Sequence, residues 1–180
     1  MKLSTKVAFS GVMAALSLVL LFLGGVVPVA TIALPATAGC LLIPVVVEVG
    51  LPWSFGVYGV CGVLSLLLVP DREAALIYIL FFGYYPALFA VLGRMKNRVL
   101  RYLAKLAVFN AAVVAEALLA VYVLGAPLES FFVFGPITPV VLLVLANIVF
   151  LVYDFALDGL IVQYLRRFHG KLRNVLKGRG

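Results

Sequence analysis

Charged residues are scarce in this sequence: Asp, Glu, Lys and Arg make up 12% of its 180 residues, whereas 66% are hydrophobic. Soluble globular chains are about a quarter charged and about half apolar. A water-soluble fold of this length could not hide so much apolar surface. The composition therefore indicates an integral membrane protein, and it leaves no room for a soluble catalytic domain.

Cysteine and histidine are also few. Cys40 and Cys61 fall inside apolar segments without a paired spacing, so neither a disulfide framework nor a zinc site is predicted. The single histidine, His169, lies in a basic C-terminal region, and no phosphate-binding glycine loop or nucleophile–base pair is present. These absences argue against an enzyme, and we expect no cofactor and no metal.

Six apolar stretches are separated by proline, glycine or charge. They lie near residues 7–27, 33–50, 53–69, 74–92, 103–124 and 138–164. About 20 apolar residues cross the ~30 Å hydrocarbon core as a helix, and proline favours a stop between helices. We expect an all-α, polytopic membrane bundle of about six transmembrane helices, with a membrane domain over 1–165 and a basic tail over 166–180. An A-x-A pattern at 36–38 lies too far along to mark a signal peptide.

The basic residues predict the orientation. They cluster before the first stretch, between the fourth and fifth, and after the sixth; Arg72 is the one exception among 14 Lys and Arg. Basic residues are retained on the cytoplasmic side. Both termini are therefore expected in the cytoplasm, and the net charge of +7 indicates topology in the plasma membrane rather than nucleic-acid binding. The tail is either a solvated anchor or a surface helix on anionic lipid.

Polar residues inside the last stretch form a stripe. Asn147, Asp154 and Asp158 share one helix face, because they are spaced by seven and four residues. An ionisable residue at membrane depth is costly and must find a partner or a wet cavity. We expect an ion pair between Asp158 and Lys105 near the cytoplasmic boundary, which the deeper Asp154 can share.

Other candidates lie in the fourth and fifth stretches. Asn110 and Glu116 occupy the fifth, with Glu116 near mid-span. Two interpretations of Glu116 stay open: it is protonated and hydrogen-bonded to another helix, or it lines a polar cavity near Asn147 that opens outward. Tyr84 and Tyr85 precede a proline that should kink the fourth helix, so they either form an aromatic pocket wall or simply pack. The candidate substrate-binding residues are Glu116, Asn147, Tyr84 and Tyr85.

Small residues recur in the first stretch. Ser10, Gly11, Ala14 and Ala15 include two pairs spaced by four residues, which lets two helix backbones approach closely. Such a face either packs within the bundle or contacts a partner protein.

Two segments carry a family resemblance. Residues 6–16 read KVAFSGVMAAL, and residues 34–48 read LPATAGCLLIPVVVE before a glycine-rich third helix. These segments resemble the first three helices of the substrate-binding S components of energy-coupling factor (ECF) transporters. Size, helix number and inward termini agree with that family.

The resemblance implies a six-helix, high-affinity binder of a vitamin or other micronutrient. It implies a small-molecule pocket toward the outer face, among the outer halves of helices 4 to 6. It also implies that Ser10, Gly11, Ala14 and Ala15 dock on a transmembrane coupling subunit, itself driven by two cytoplasmic ATPases. Substrate residues do not carry over, because each ligand class has its own set.

Two other classes of function remain open. A structural scaffold, similar to the rod-shape-determining MreD-like family in size and apolar profile, would need no pocket. A small autonomous transporter would use Glu116, or Asp154 with Asp158, as a proton or ion relay.

Overall fold

The computed structural model describes residues 2–26, 31–127, 132 and 137–170. The described residues are 85% helical and contain no strand. The elements are α1 (Leu3–Val26), α2 (Ala33–Cys40), α3 (Leu42–Glu48), α4 (Leu51–Leu68), α5 (Arg72–Ile77), a π-helical segment (Tyr78–Phe82), α6 (Tyr85–Leu92), α7 (Arg98–Tyr122) and α8 (Thr138–Arg167).

Within the described part of the chain, five helical units are long and apolar enough to cross a membrane: α1, α4, the unit running from α5 to α6, α7 and α8. The apolar segment Ala33–Glu48 is shorter than these five. At 1.5 Å per residue, a helix needs about 20 residues to span the hydrocarbon core. The fold is therefore that of an all-α, multi-pass membrane protein with five full-length candidate spans.

The second apolar stretch differs from the single helix predicted over 33–50. It is divided at Leu41 into α2 and α3. Pro44 accounts for the break, because it has no N–H to donate to the carbonyl of Cys40 and its ring crowds that carbonyl. The turn after α3 uses Gly50 at φ +111°, a conformation that favours glycine.

Two helices begin earlier than predicted because polar side chains cap them. Asp71 and Asn97 each accept hydrogen bonds from two backbone N–H groups of the following turn, at 2.9 to 3.3 Å. Such caps satisfy the otherwise unpaired donors of a first turn. The helices therefore start at Arg72 and Arg98, where residues 74 and 103 were predicted.

The interruption predicted at Pro86 is present. The chain widens into the π-helical segment, turns at Gly83 and Tyr84, and restarts as α6 with Pro86 in its first turn. The Tyr58 hydroxyl of α4 donates to the carbonyl of Ile79 at 2.8 Å, so a neighbouring helix supports the widened turn. π-helical turns of this kind often occur at functional sites.

The main core lies among α1 to α4 and the π-helical segment. Its fully buried side chains include Leu21, Leu42, Val45, Cys61, Tyr78 and Tyr85. Gly39 lets α2 touch the π-helical segment, since a Cβ there would overlap the carbonyl of Phe82. The long helices α7 and α8 bury only a few residues each, chiefly Lys105 and Ala112 on α7 and Phe150 on α8. Helices α7 and α8 pack against this core and leave a cavity beside it.

The two ends of the bundle differ in charge. The basic end contains Glu48 at the end of α3, the start of α7 and the end of α8; Glu48 contacts His169 there. At the opposite end, Gly25 of α1 lies against the backbone of Asp71. α8 continues to Arg167, beyond the predicted end at 164. Of the tail predicted over 166–180, residues 171–180 lie outside the described residues.

Candidate ligand pocket and buried polar groups

A cavity of about 240 Å³ lies between the π-helical segment, α7 and α8. Its lining residues are Ile32, Ile77, Leu80, Phe81, Phe82, Phe109, Ala112, Val113, Glu116, Ala146, Val149, Phe150 and Tyr153. We call this cavity the Glu116 pocket. It lies in the half of the bundle opposite the basic end, because it reaches Ile32 and Ile77 near the starts of α2 and of the α5–α6 unit.

Helical periodicity places the two long walls. On α7 the lining residues are spaced i, i+3, i+4 and i+7, from Phe109 to Glu116, and α8 repeats this spacing from Ala146 to Tyr153. That spacing defines one face of a helix. The third wall needs the π-helical turn, which brings the consecutive residues Phe81 and Phe82 to the same cavity.

The walls are aromatic and closely packed. Phe109 of α7 stacks on Phe150 of α8, with ring centroids 4.5 Å apart and planes 12° apart. Phe81 meets both rings edge-on, at 5.2 and 5.7 Å. Tyr153 meets Phe82 edge-on at 5.0 Å. These are favourable aromatic geometries, so the walls are held in place without a ligand.

Glu116 is the only charged side chain among the described lining residues. It is half-buried, and no described residue forms a hydrogen bond or ion pair with it. Its acidic neighbour Glu73 on α5 is near enough to interact with it electrostatically. Of the two interpretations left open by the sequence, the geometry favours a cavity over a hydrogen bond to another helix.

Asn147 does not join Glu116 in the pocket. It forms a reciprocal amide pair with Asn110 across α7 and α8, with both N···O distances at 2.9 Å. Each amide also donates to the carbonyl four residues earlier in its own helix, at 2.8 Å. Both amide side chains therefore have hydrogen-bond partners, and the pair links α7 to α8.

The buried ion pair forms with Asp154 instead of the predicted Asp158. The Lys105 ammonium donates to both carboxylate oxygens of Asp154, at 2.6 and 2.9 Å. Lys105 and Asp154 are only 3% and 5% exposed. Tyr85 donates to the same carboxylate at 2.6 Å, and the ammonium also lies 3.8 Å from the ring centroid of Phe89. We call Lys105, Asp154 and Tyr85 the buried triad.

Asp158 lies exposed, one turn beyond Asp154. With Arg101 and Tyr102 it lines a second cavity of about 440 Å³, which also touches Lys105 and Asp154 of the triad. Acidic and basic groups balance there. The three polar residues of α8 therefore share one face but have different environments. Asn147 is in an amide pair, Asp154 is in an ion pair, and Asp158 lines an open cavity.

The tyrosines predicted as a pocket wall do not line the Glu116 pocket. Tyr85 is fully buried and points its hydroxyl to Asp154. Tyr84 packs edge-on against Tyr58, with ring centroids 5.8 Å apart. The aromatic wall instead comes from Phe81, Phe109 and Phe150. The helical spacing between Phe109 and Glu116 on α7 was the signal that could have revealed part of this wall.

The small-residue face of α1 divides into two halves. Ser10 is 5% exposed, and the carbonyl of Ala14 accepts a weak hydrogen bond from Cys61 of α4 at 3.6 Å, so these two residues point inward. Gly11 and Ala15 are exposed, and a Cβ at Gly11 would meet no atom within 4 Å. Only Gly11 and Ala15 are available to a partner.

One polar cluster was missed from the sequence. Glu48, at the end of α3, has a side chain that is only 4% exposed. It accepts a hydrogen bond from Tyr164 at 2.9 Å and lies 2.8 Å from Nδ1 of His169. The cluster joins the end of α3 to the end of α8. No regular spacing links these residues in the sequence.

The described residues contain no group of three or more His, Cys, Asp or Glu side chains placed to hold a metal ion. The fold and site together define a multi-pass, all-α membrane protein with an aromatic pocket, and the pocket contains one carboxylate that has no partner among the described residues. No family model, curated protein or solved structure matches the chain.

Proposed function

We propose that this protein is the substrate-binding subunit of an ATP-driven micronutrient uptake transporter, similar to the S components of ECF transporters. The observation that carries the proposal is the Glu116 pocket, which has preformed aromatic walls and a carboxylate without a partner in the described chain. Binding sites are typically concave and mostly apolar, with a few placed polar groups. A purely structural scaffold has no need for such a pocket.

The proposed orientation places the pocket toward the outside. The basic end faces the cytoplasm under the positive-inside rule, with both termini there and the protein in the plasma membrane. Arg72, the one basic residue at the opposite end, donates to the carbonyl of Leu66, so its charge stabilises the C-terminus of α4. In this orientation α2 and α3 together form a sixth, shorter crossing, and the pocket opens in the outer half.

The open half of the α1 face supports a docking role. Gly11 and Ala15 leave a shallow surface on a helix that already packs on its other side. In lipid, helices associate through small residues that allow close backbone contact. We propose that a transmembrane coupling subunit packs here and connects the protein to cytoplasmic ATPases.

The test combines purification and transport. The tagged full chain, purified from membranes of its own host in mild detergent, should bring with it ATPase subunits that support ATP-dependent uptake in vesicles. Replacing Gly11 and Ala15 with Leu should abolish both, while Ala156→Leu with Gly159→Leu, on an exposed face of α8, serves as the matched control. If the Gly11/Ala15 variant unfolds, that face is internal packing. If the wild-type chain brings no ATPase, the proposal is wrong.

The buried triad favours a second candidate, an autonomous ion-coupled transporter. An ion pair at membrane depth beside a cavity of about 440 Å³ is the kind of feature from which proton relays are built. Transport by the purified chain alone, without ATPase subunits, would favour this alternative.

A further inference from the structure

We propose that the Glu116 pocket binds a compact organic cation, with an amine or ammonium group against Glu116 and an apolar body among the phenylalanine rings. The inference rests on the proposed function and names the substrate class of its site. Three features of the structure carry it: the partner that Glu116 lacks, the aromatic walls, and the charges around the pocket.

Among the polar side chains between α7 and α8, Glu116 is set apart because it has no partner in the described chain. We call the interface between α7 and α8 the α7–α8 seam. Its other polar side chains at comparable or greater burial are paired: Lys105 with Asp154, and Asn110 with Asn147. A carboxyl group at membrane depth is costly unless something compensates it. No described residue does so for Glu116, and the proposal is that a ligand in the pocket does.

The walls suit a cation with an organic body. Aromatic faces attract ammonium groups through their quadrupoles, and the attraction grows when water is excluded. The described walls offer rings from Phe81, Phe109 and Phe150 beside the carboxylate. A bare metal ion fits poorly, since one carboxylate supplies too few ligands. The volume of about 240 Å³ is below the roughly 300 Å³ at which pockets for drug-sized ligands begin, so the ligand is compact.

The surrounding charges also favour a cation. The group that interacts electrostatically with Glu116 from α5 is acidic, Glu73. The nearest basic group on α5, Arg72, is engaged with the end of α4, and the nearest one along α7, Lys105, is neutralised by Asp154. An anionic ligand would meet uncompensated negative charge, whereas a cation would neutralise it.

Binding of three probes of similar shape tests this inference: 2-phenylethylamine, 2-phenylethanol and phenylacetate. Isothermal calorimetry on the purified full chain should give the amine a dissociation constant at least tenfold lower than that of the alcohol, with phenylacetate weakest. Glu116→Gln should raise the constant for the amine at least tenfold and change that for the alcohol less than twofold. Asp158→Asn, an acidic residue in the other cavity, is the matched control and should leave all three constants unchanged.

Equal affinity for amine and alcohol, no saturable binding of the amine, or an amine affinity unaffected by Glu116→Gln would overturn the inference. Failure of the parent proposal is distinguishable from this. A chain that selects the amine but never associates with ATPases keeps its cation site and loses the transporter role. A chain that drives ATP-dependent uptake but binds alcohol and amine equally keeps the role and loses the cation.

Discussion

The two ends of the α7–α8 seam differ in whether their ionisable side chains are paired. At the basic end, Lys105 and Asp154 neutralise each other, and Tyr85 and the ring of Phe89 complete their contacts. Toward the opposite end, Glu116 faces an aromatic cavity with no partner among the described residues. The amide pair of Asn110 and Asn147 lies between these two ends and links the helices. One pair of helices thus carries a fully satisfied polar network at one end and an unsatisfied group at the other.

The difference has a physical meaning. A buried charge with all its contacts made is consistent with a structural role, because the surrounding chain already meets its needs. A buried charge without contacts lowers stability, and proteins commonly accept such a cost where a site must bind something. The transporter-subunit proposal therefore gives the basic end a structural role and the Glu116 pocket a binding role, and both roles can be tested through the stability of variants.

Breaking the buried triad should lower the thermal stability of the protein more than the other changes do. Lys105→Met removes the ammonium and leaves the carboxylate of Asp154 buried beside Tyr85. Removal of one partner of a buried pair typically costs about 3–5 kcal/mol. We expect a marked fall in the thermal midpoint of the purified protein in detergent, measured by intrinsic fluorescence.

The controls separate the pair from its surroundings. Arg101→Met changes a basic residue that lines the same cavity without breaking the ion pair, and it should shift the midpoint little. Lys105→Met combined with Asp154→Leu removes both charges and should recover much of the loss. A double variant as unstable as the single one would mean that the ion pair does not explain the effect.

The sequence predicted much of this seam but not its pairing. Hydropathy and charge placed the long helices, and the cost of polar groups in lipid singled out Lys105, Asp154 and Glu116. The predicted partner of Lys105 was Asp158, because α7 was expected to begin near residue 103. Asn97 caps α7 and starts it at Arg98, so Lys105 lies about two turns inside the helix, at the depth of Asp154.

The pocket walls depended on information that periodicity does not carry. The face of α7 that includes Phe109 and Glu116 follows from helical spacing. The position of Phe81 and Phe82 follows from a π-helical turn, whose register a pattern based on 3.6 residues per turn cannot give. The packing of Tyr84 and Tyr85 away from the pocket depends on the same turn. The α2–α3 break, by contrast, was readable from Pro44.

Changing the Asn110–Asn147 amide pair should lower the thermal stability by an intermediate amount. Asn147→Leu leaves the amide of Asn110 with only the bond to its own helix. Interhelical hydrogen bonds in membranes contribute about 0.6 kcal/mol on average and up to about 1.7 kcal/mol, so we expect a fall in the thermal midpoint clearly smaller than that of Lys105→Met. Replacing both Asn110 and Asn147 with Leu should cost less than the sum of the single changes, because neither amide is then left without its partner. Strict additivity would show that the two amides act independently.

Glu116→Leu should change the thermal stability of the ligand-free protein least, and any change should be an increase. The carboxyl group makes no described contact within the chain, so its removal breaks no bond, while Leu adds apolar contact with the walls formed by Phe109 and Phe150. Relieving an unsatisfied polar group typically stabilises by about 1 kcal/mol. We therefore expect an unchanged or slightly raised thermal midpoint in detergent, whereas binding of 2-phenylethylamine is lost. Glu116→Gln, which keeps the shape, should leave the midpoint nearly unchanged. A clear fall in the midpoint of the Leu variant would mean that Glu116 holds a structural hydrogen bond, and the two ends of the seam would then differ in strength but not in kind.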